Sequence, residues 1–91
     1  MSAFEFARAF LDAHPEAYCA YVAVLPDVGQ HIIEIETRRD IVAAAVELPG
    51  NSYTAARQFA ADVEGVLQSK GITTYPTRTL WHQALEADAV V

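Results

Sequence analysis

The chain has 91 residues, is 53% hydrophobic, and sets twelve carboxylates against five arginines and one lysine, for a formal charge of −6. A chain of this size folds as one domain around one core and buries roughly 60–65% of the surface exposed when unfolded. The charge argues against direct binding of DNA or RNA, which needs a basic face, and the 53% apolar content excludes disorder.

Seventeen of the apolar residues are alanines, which fill little volume, so the core must lean on nine aromatics and on Val, Ile and Leu. Such a thin core leaves room for a homodimer that extends it. The single cysteine, Cys19, excludes an intramolecular disulfide and points to a cytoplasmic protein. The start, Met1 to Phe10, lacks the basic and apolar regions of a signal peptide, and no apolar run is long enough to span a bilayer. The bias to Ala and to Arg over Lys suits a GC-rich bacterial or phage genome.

Ser2 and Glu5 form a capping-box pattern, and Phe6, Phe10 and Ala13 share one stripe beside Phe4, Ala7 and Leu11. Pro15 disfavours helical geometry at His14, which predicts a helix over residues 2–14. Ala17 to Leu25 is rich in aromatic and β-branched residues, Pro26, Asp27 and Gly29 supply turn chemistry, and His31 to Thr37 alternates. In that second run Ile33 and Ile35 point one way while Ile32, Glu34 and Glu36 point the other, so the pair reads as a β-hairpin.

Residues 41–48 admit two readings. As a helix they would be capped by Asp40 and rich in alanine; as a strand they would follow the hairpin with valines at Val42 and Val46. The valines, the short length and the preceding hairpin favour the strand. Asn51 to Lys70 is the clearest helix. Asn51 or Ser52 can cap it, a stripe runs from Tyr53 through Ala56, Phe59, Ala60, Val63, Val66 and Leu67, and Gly71 can close it. Ile72 to Tyr75 reads as a last strand stopped by Pro76. The remainder forms a short C-terminal tail or helix, or continues as strand through Trp81. The predicted class is α+β in the order α-β-β-β-α-β, a small antiparallel sheet of three to four strands covered by two helices.

No phosphate-binding glycine loop, metalloprotease helix motif, Cys-x-x-Cys pair or nucleophile elbow is present, and no cofactor is implied. Candidates for a small enzyme or ligand binder reduce to Cys19, Tyr75, His82 and Glu86. His82 and Glu86 would share a helix face as a metal or proton pair, but more commonly such a pair is a surface contact. His14 suits a helix C-terminus, and His31 opens a strand and reads as exposed. Cys19 sits in an apolar pattern, as buried inert thiols do.

The partner-binding candidates are stronger. Glu34 and Glu36 face away from the predicted core and, with Glu47 on the neighbouring strand, would make an acidic sheet surface suited to a basic partner. Arg38 and Arg39 at the following turn can hold a carboxylate or phosphate, or simply guard the sheet edge. Trp81 either anchors an interface or plugs the end of the core. The expected function is therefore a non-catalytic protein–protein interaction module. Its most concrete form is a small acidic inhibitor, of the type phage and mobile elements direct against host defence. It would block a basic functional surface of a partner, such as a nucleic-acid-binding protein. A self-assembling structural or phage assembly component is the main alternative.

Tyr21 to Gly29, "YVAVLPDVG", followed by Leu48 to Ala60, "LPGNSYTAARQFA", resembles the strand-turn and helix-start rhythm of HicB-type antitoxins. The centre between these stretches and the leading helix lie outside the resemblance. It implies a β-β-β-α-β unit and the neutralisation of a small RNA-cleaving toxin.

Overall fold

The computed structural model describes residues 2–28, 30–46 and 53–90, with the backbone alone at 43–46 and 88–90. Its elements are α1 (Ala3–Ala13), β1 (Cys19–Asp27), β2 (Gln30–Glu36), β3 (Ile41–Val46), α2 (Tyr53–Ser69), β4 (Thr73–Thr74) and α3 (Arg78–Val90). The predicted α-β-β-β-α-β order is present, and the C-terminal segment is a full helix.

Each boundary has a local cause. Ser2 Oγ accepts from the Glu5 backbone N–H at 3.0 Å and opens α1, and His14 caps its end ahead of Pro15. At the end of α2 the Gly71 N–H donates to the Gln68 carbonyl and the Ile72 N–H to the Leu67 carbonyl. Gly71 takes φ 85° to allow this. Ile72 and Leu67 then meet in the core, which locks the exit of the helix. The Thr77 hydroxyl accepts from the Leu80 N–H at 3.2 Å and starts α3. The proposed caps Asn51 and Ser52, the turn residue Gly29 and the partner candidate Glu47 lie outside the described residues.

β1, β2 and β3 form an antiparallel meander, and β4 joins the far side of β1 in parallel, giving the order β3-β2-β1-β4. The sheet is thus mixed rather than wholly antiparallel. The chain leaves β3 at one edge and re-enters at the other. α2 makes that crossing over the sheet, and a crossover connection delivers a parallel strand.

Residues 41–46 are a strand: β2 register pairs Ile35 with Val42 and Glu36 with Ile41, so sheet pairing overrides the helix propensity of the alanines. Asp40, the residue that would have capped a helix, instead shapes the turn. Its N–H donates to Thr37 Oγ1 at 2.9 Å, and its Oδ1 accepts from the Ile41 N–H at 2.8 Å.

Two faces follow from the register. Ala20 and Val22 of β1 and Ile33 and Ile35 of β2 meet Phe6, Ala7 and Phe10 of α1 and Ala56, Ala60, Val63 and Leu67 of α2 in the main core. This is the two-helix cover that the alternation in 31–37 predicts. Cys19, Ala23 and Trp81 are buried as well, outside that cluster. Cys19, Tyr21 and Ala23 alternate with the core residues of β1, so they lie on the opposite face, where α3 packs. None of the described helices is long and apolar enough to cross a membrane.

Candidate functional site

The face of the sheet opposite the main core holds Glu34 and Glu36, and α3 alters what they can do. Glu36 is only 9% exposed. Its Oε2 accepts from Trp81 Nε1 at 3.1 Å, and its Oε1 lies 3.5 Å from Arg78 Nη2. Arg78 in turn sits 5.5 Å above the Tyr21 ring, and Tyr75 packs against Trp81 with ring centroids 5.4 Å apart. A carboxylate taken out of water needs charge-assisted partners, and this one has an indole N–H and a guanidinium. One expectation is corrected here and one open choice is decided. Glu36 does not belong to an exposed acidic surface, and of the two readings of Trp81 its 1% exposure selects the plug: it fastens α3 to the sheet from inside rather than standing out as an anchor. Glu34, one register step along the same face, stays half-buried and reachable.

The arginine pair sits at the turn between β2 and β3. Thr37 organises it: the Thr37 N–H donates to the Asp40 carbonyl at 2.8 Å, and Thr37 Oγ1 accepts from the N–H groups of Arg39 and Asp40. Arg38 folds back, with its guanidinium 5.5 Å above the exposed Tyr18 ring and Nη1 3.4 Å from the Ala84 carbonyl of α3. Arg39 is exposed. Two open clefts of about 450 and 470 Å³ meet at Thr37, Arg38 and Arg39. Glu16, Tyr18 and Cys19 line the first, and Glu36, Trp81 and Leu85 the second. His14, on the α1 side, lies between two carboxylates, with Nδ1 3.6 Å from Glu16 and Nε2 3.9 Å from Asp40. The arrangement can offer a guanidinium to a carboxylate or phosphate, hemmed by Glu16 and Asp40.

The enzyme candidates do not converge. Cys19 is buried, Tyr75 is half-buried against Trp81, and His82 and Glu86 are exposed on α3. Among the described residues no group of three or more His, Cys, Asp or Glu could hold a metal ion. His31 is half-buried rather than exposed, its ring in tilted contact with Tyr53 at 6.1 Å between centroids and its Nδ1 lacking a hydrogen-bond partner among the described residues. Two carboxylates away from the turn are perturbed. The Val28 backbone N–H, followed by the Gln30 side chain, holds Asp27 below its usual range, while burial pushes Glu64 up against the opposing pull of Arg57.

Arg78 was absent from the candidate residues, and it completes the cluster around Glu36. Its only sequence signal is its place in the first turn after Thr77, three residues before Trp81. Compared with known protein families, curated proteins and solved structures, the chain matches none of them.

Proposed function

We propose that this chain is a non-catalytic protein–protein interaction module, a small acidic cytoplasmic inhibitor that docks on a basic functional surface of a partner protein. One observation carries the reading. Glu36 is the only charged residue buried among those described, and it goes inside beside Arg78. That pair is neutral, so the whole charge of −6 stays with the remaining, mostly exposed groups. A small body with that surface is steered toward basic surfaces, of which nucleic-acid-binding sites are the commonest. Arg39, exposed at the rim of the two clefts, supplies a local contact of opposite sign that orients the docked pair.

A second reading, an antitoxin of the HicB type, is favoured by the succession β1-β2-β3-α2-β4, which has the β-β-β-α-β order that the resemblance implies. An RNA-cleaving toxin carries a basic substrate surface, so both readings end on the same kind of contact.

Affinity capture of the tagged chain from a bacterial lysate, at low and at moderate salt and read by mass spectrometry, tests the proposal. The expected result is a stoichiometric partner with a basic functional surface, retained at low salt and lost at moderate salt. A partner held equally at both salts, or no partner at either, overturns it.

A further inference from the structure

β3 is an edge strand: its inner side pairs with β2, and among the described residues no strand pairs with its outer side. Natural sheets guard such edges with charge, proline or bulges. The six residues of β3, Ile41-Val42-Ala43-Ala44-Ala45-Val46, contain no charge, no proline and no glycine. Large apolar side chains are also exposed at both ends of the strand. Ile41, which starts it, is 57% exposed, and Tyr53, 63% exposed, makes a tilted ring contact with His31, the register partner of Val46.

The direction of each peptide group follows from the turn. The Thr37 N–H bonds the Asp40 carbonyl, so Thr37 and Asp40 are a hydrogen-bonded pair. Antiparallel pairs alternate, which makes Ile35–Val42, Ile33–Ala44 and His31–Val46 hydrogen-bonded and leaves the N–H and C=O groups of Ile41, Ala43 and Ala45 pointing outward.

We propose that the outer edge of β3 is a self-pairing seam, occupied by β3 of a second copy of this chain. The sequence itself selects that occupant, because Val42-Ala43-Ala44-Ala45-Val46 is a palindrome centred on Ala44. A two-fold axis through Ala44 sets Val42 opposite Val46 and Ala44 opposite Ala44. It also sets Ala43 opposite Ala45, and these are the residues whose N–H and C=O groups point outward. Every residue of the palindrome meets its like on the same face of one continuous eight-stranded sheet. Such a seam places no charged residue opposite another, so two copies each carrying −6 can approach along it. Antiparallel pairing sends the two arginine turns to opposite ends, roughly 35 Å apart at about 3.4 Å per residue. This association goes beyond docking on a basic partner and does not depend on it. Added salt screens the repulsion between copies and strengthens the seam, whereas salt weakens the basic contact.

Sedimentation of the full chain over a dilution series, together with the variant Ala45→Pro, tests the seam. The Ala45 N–H points away from β2, so proline there spares the β2–β3 ladder and removes two hydrogen bonds per dimer. The unmodified chain is expected at twice 9.9 kDa when concentrated, dissociating on dilution. Ala45→Pro is expected to weaken association about thirtyfold with an unchanged far-UV spectrum. Amide exchange on the unmodified chain gives a second reading that survives if the proline variant fails to fold: the amides of Ala43 and Ala45 become protected as concentration rises. A monomer at every concentration, a dimer untouched by Ala45→Pro, or exchange at Ala43 and Ala45 independent of concentration each overturns the seam. A monomer that still captures a basic partner in a salt-sensitive way would end this inference and leave the proposed function standing.

Discussion

Trp81→Phe is the most informative single perturbation, because it keeps an aromatic ring against Tyr75 and deletes the indole N–H that Glu36 accepts at 3.1 Å. A hydrogen bond to a charged group contributes about 1.5–3 kcal/mol, and losing the second indole ring from a site 1% exposed adds about 1 kcal/mol. The expected cost is therefore about 2.5–4 kcal/mol, against a total near 5–13 kcal/mol for a domain of this length. At about 4–8 °C per kcal/mol the melting temperature falls by 10 °C or more, about 10–30 °C across the range. Glu36→Gln should cost far less. The amide still accepts from Trp81, and the lost partner Arg78 is 47% exposed, so that ion pair contributes only about 0.5–1 kcal/mol. Urea denaturation followed by far-UV circular dichroism measures both, since Trp81 is the only tryptophan and its fluorescence disappears with the substitution. The double variant should show a coupling of about 1 kcal/mol or more between the two positions. A Trp81→Phe cost below about 1 kcal/mol, additive with Glu36→Gln, would refute the view that this contact fastens α3 to the sheet.

The two described glycines should respond to alanine with opposite signs. At Gly65, helical and open to solvent, a Cβ meets nothing within 4 Å, so Gly65→Ala should stabilise by about 0.4–1 kcal/mol in a denaturant titration. At Gly71, held at φ 85°, the same change should destabilise by about 1 kcal/mol or more. Burial holds the Glu64 carboxyl above its ordinary 4.5, so the folded state binds that proton more tightly than the unfolded state. Glu64 therefore favours folding below its ordinary value and loses that contribution as pH rises through the raised folded value. Glu64→Gln should raise the melting temperature at pH 7 and show that advantage shrinking as pH falls toward 4, which scanning calorimetry across the range would reveal.

How much was legible in the chain varies by element. Period-two alternation in 31–37 correctly separated Ile33 and Ile35 from Glu34 and Glu36, because which face a residue takes is a local property of a strand. What lies over that face is not local. Glu36 and Trp81 are 45 positions apart, and the pairing of a carboxylate with an indole N–H leaves no periodic trace. α3 left little trace: the segment after Pro76 mixes Leu80, Trp81 and Leu85 with polar residues and shows no clean stripe, and its Thr77 cap emerges only in the fold. Residues 41–46 were balanced on propensity, and the β2 ladder decided them. The parallel β4 was out of reach for a similar reason: two residues carry no direction until α2 has crossed the sheet. At the candidate site the arginine turn was placed correctly. Its organisation by Thr37, and the folding of Arg38 over Tyr18 onto α3, depend on contacts that only the assembled fold supplies.

The central claim is that net surface charge, and not a buried acidic patch, brings this chain to its partner. Its most direct test is binding by a charge-reduced chain carrying Glu5→Gln, Glu16→Gln, Asp62→Asn and Glu86→Gln, which takes four exposed carboxylates from α1, α2, α3 and the loop before β1. The account predicts a folded protein, verified by circular dichroism, that no longer retains the basic partner captured by the unmodified chain at low salt. Undiminished retention by that folded variant would contradict it.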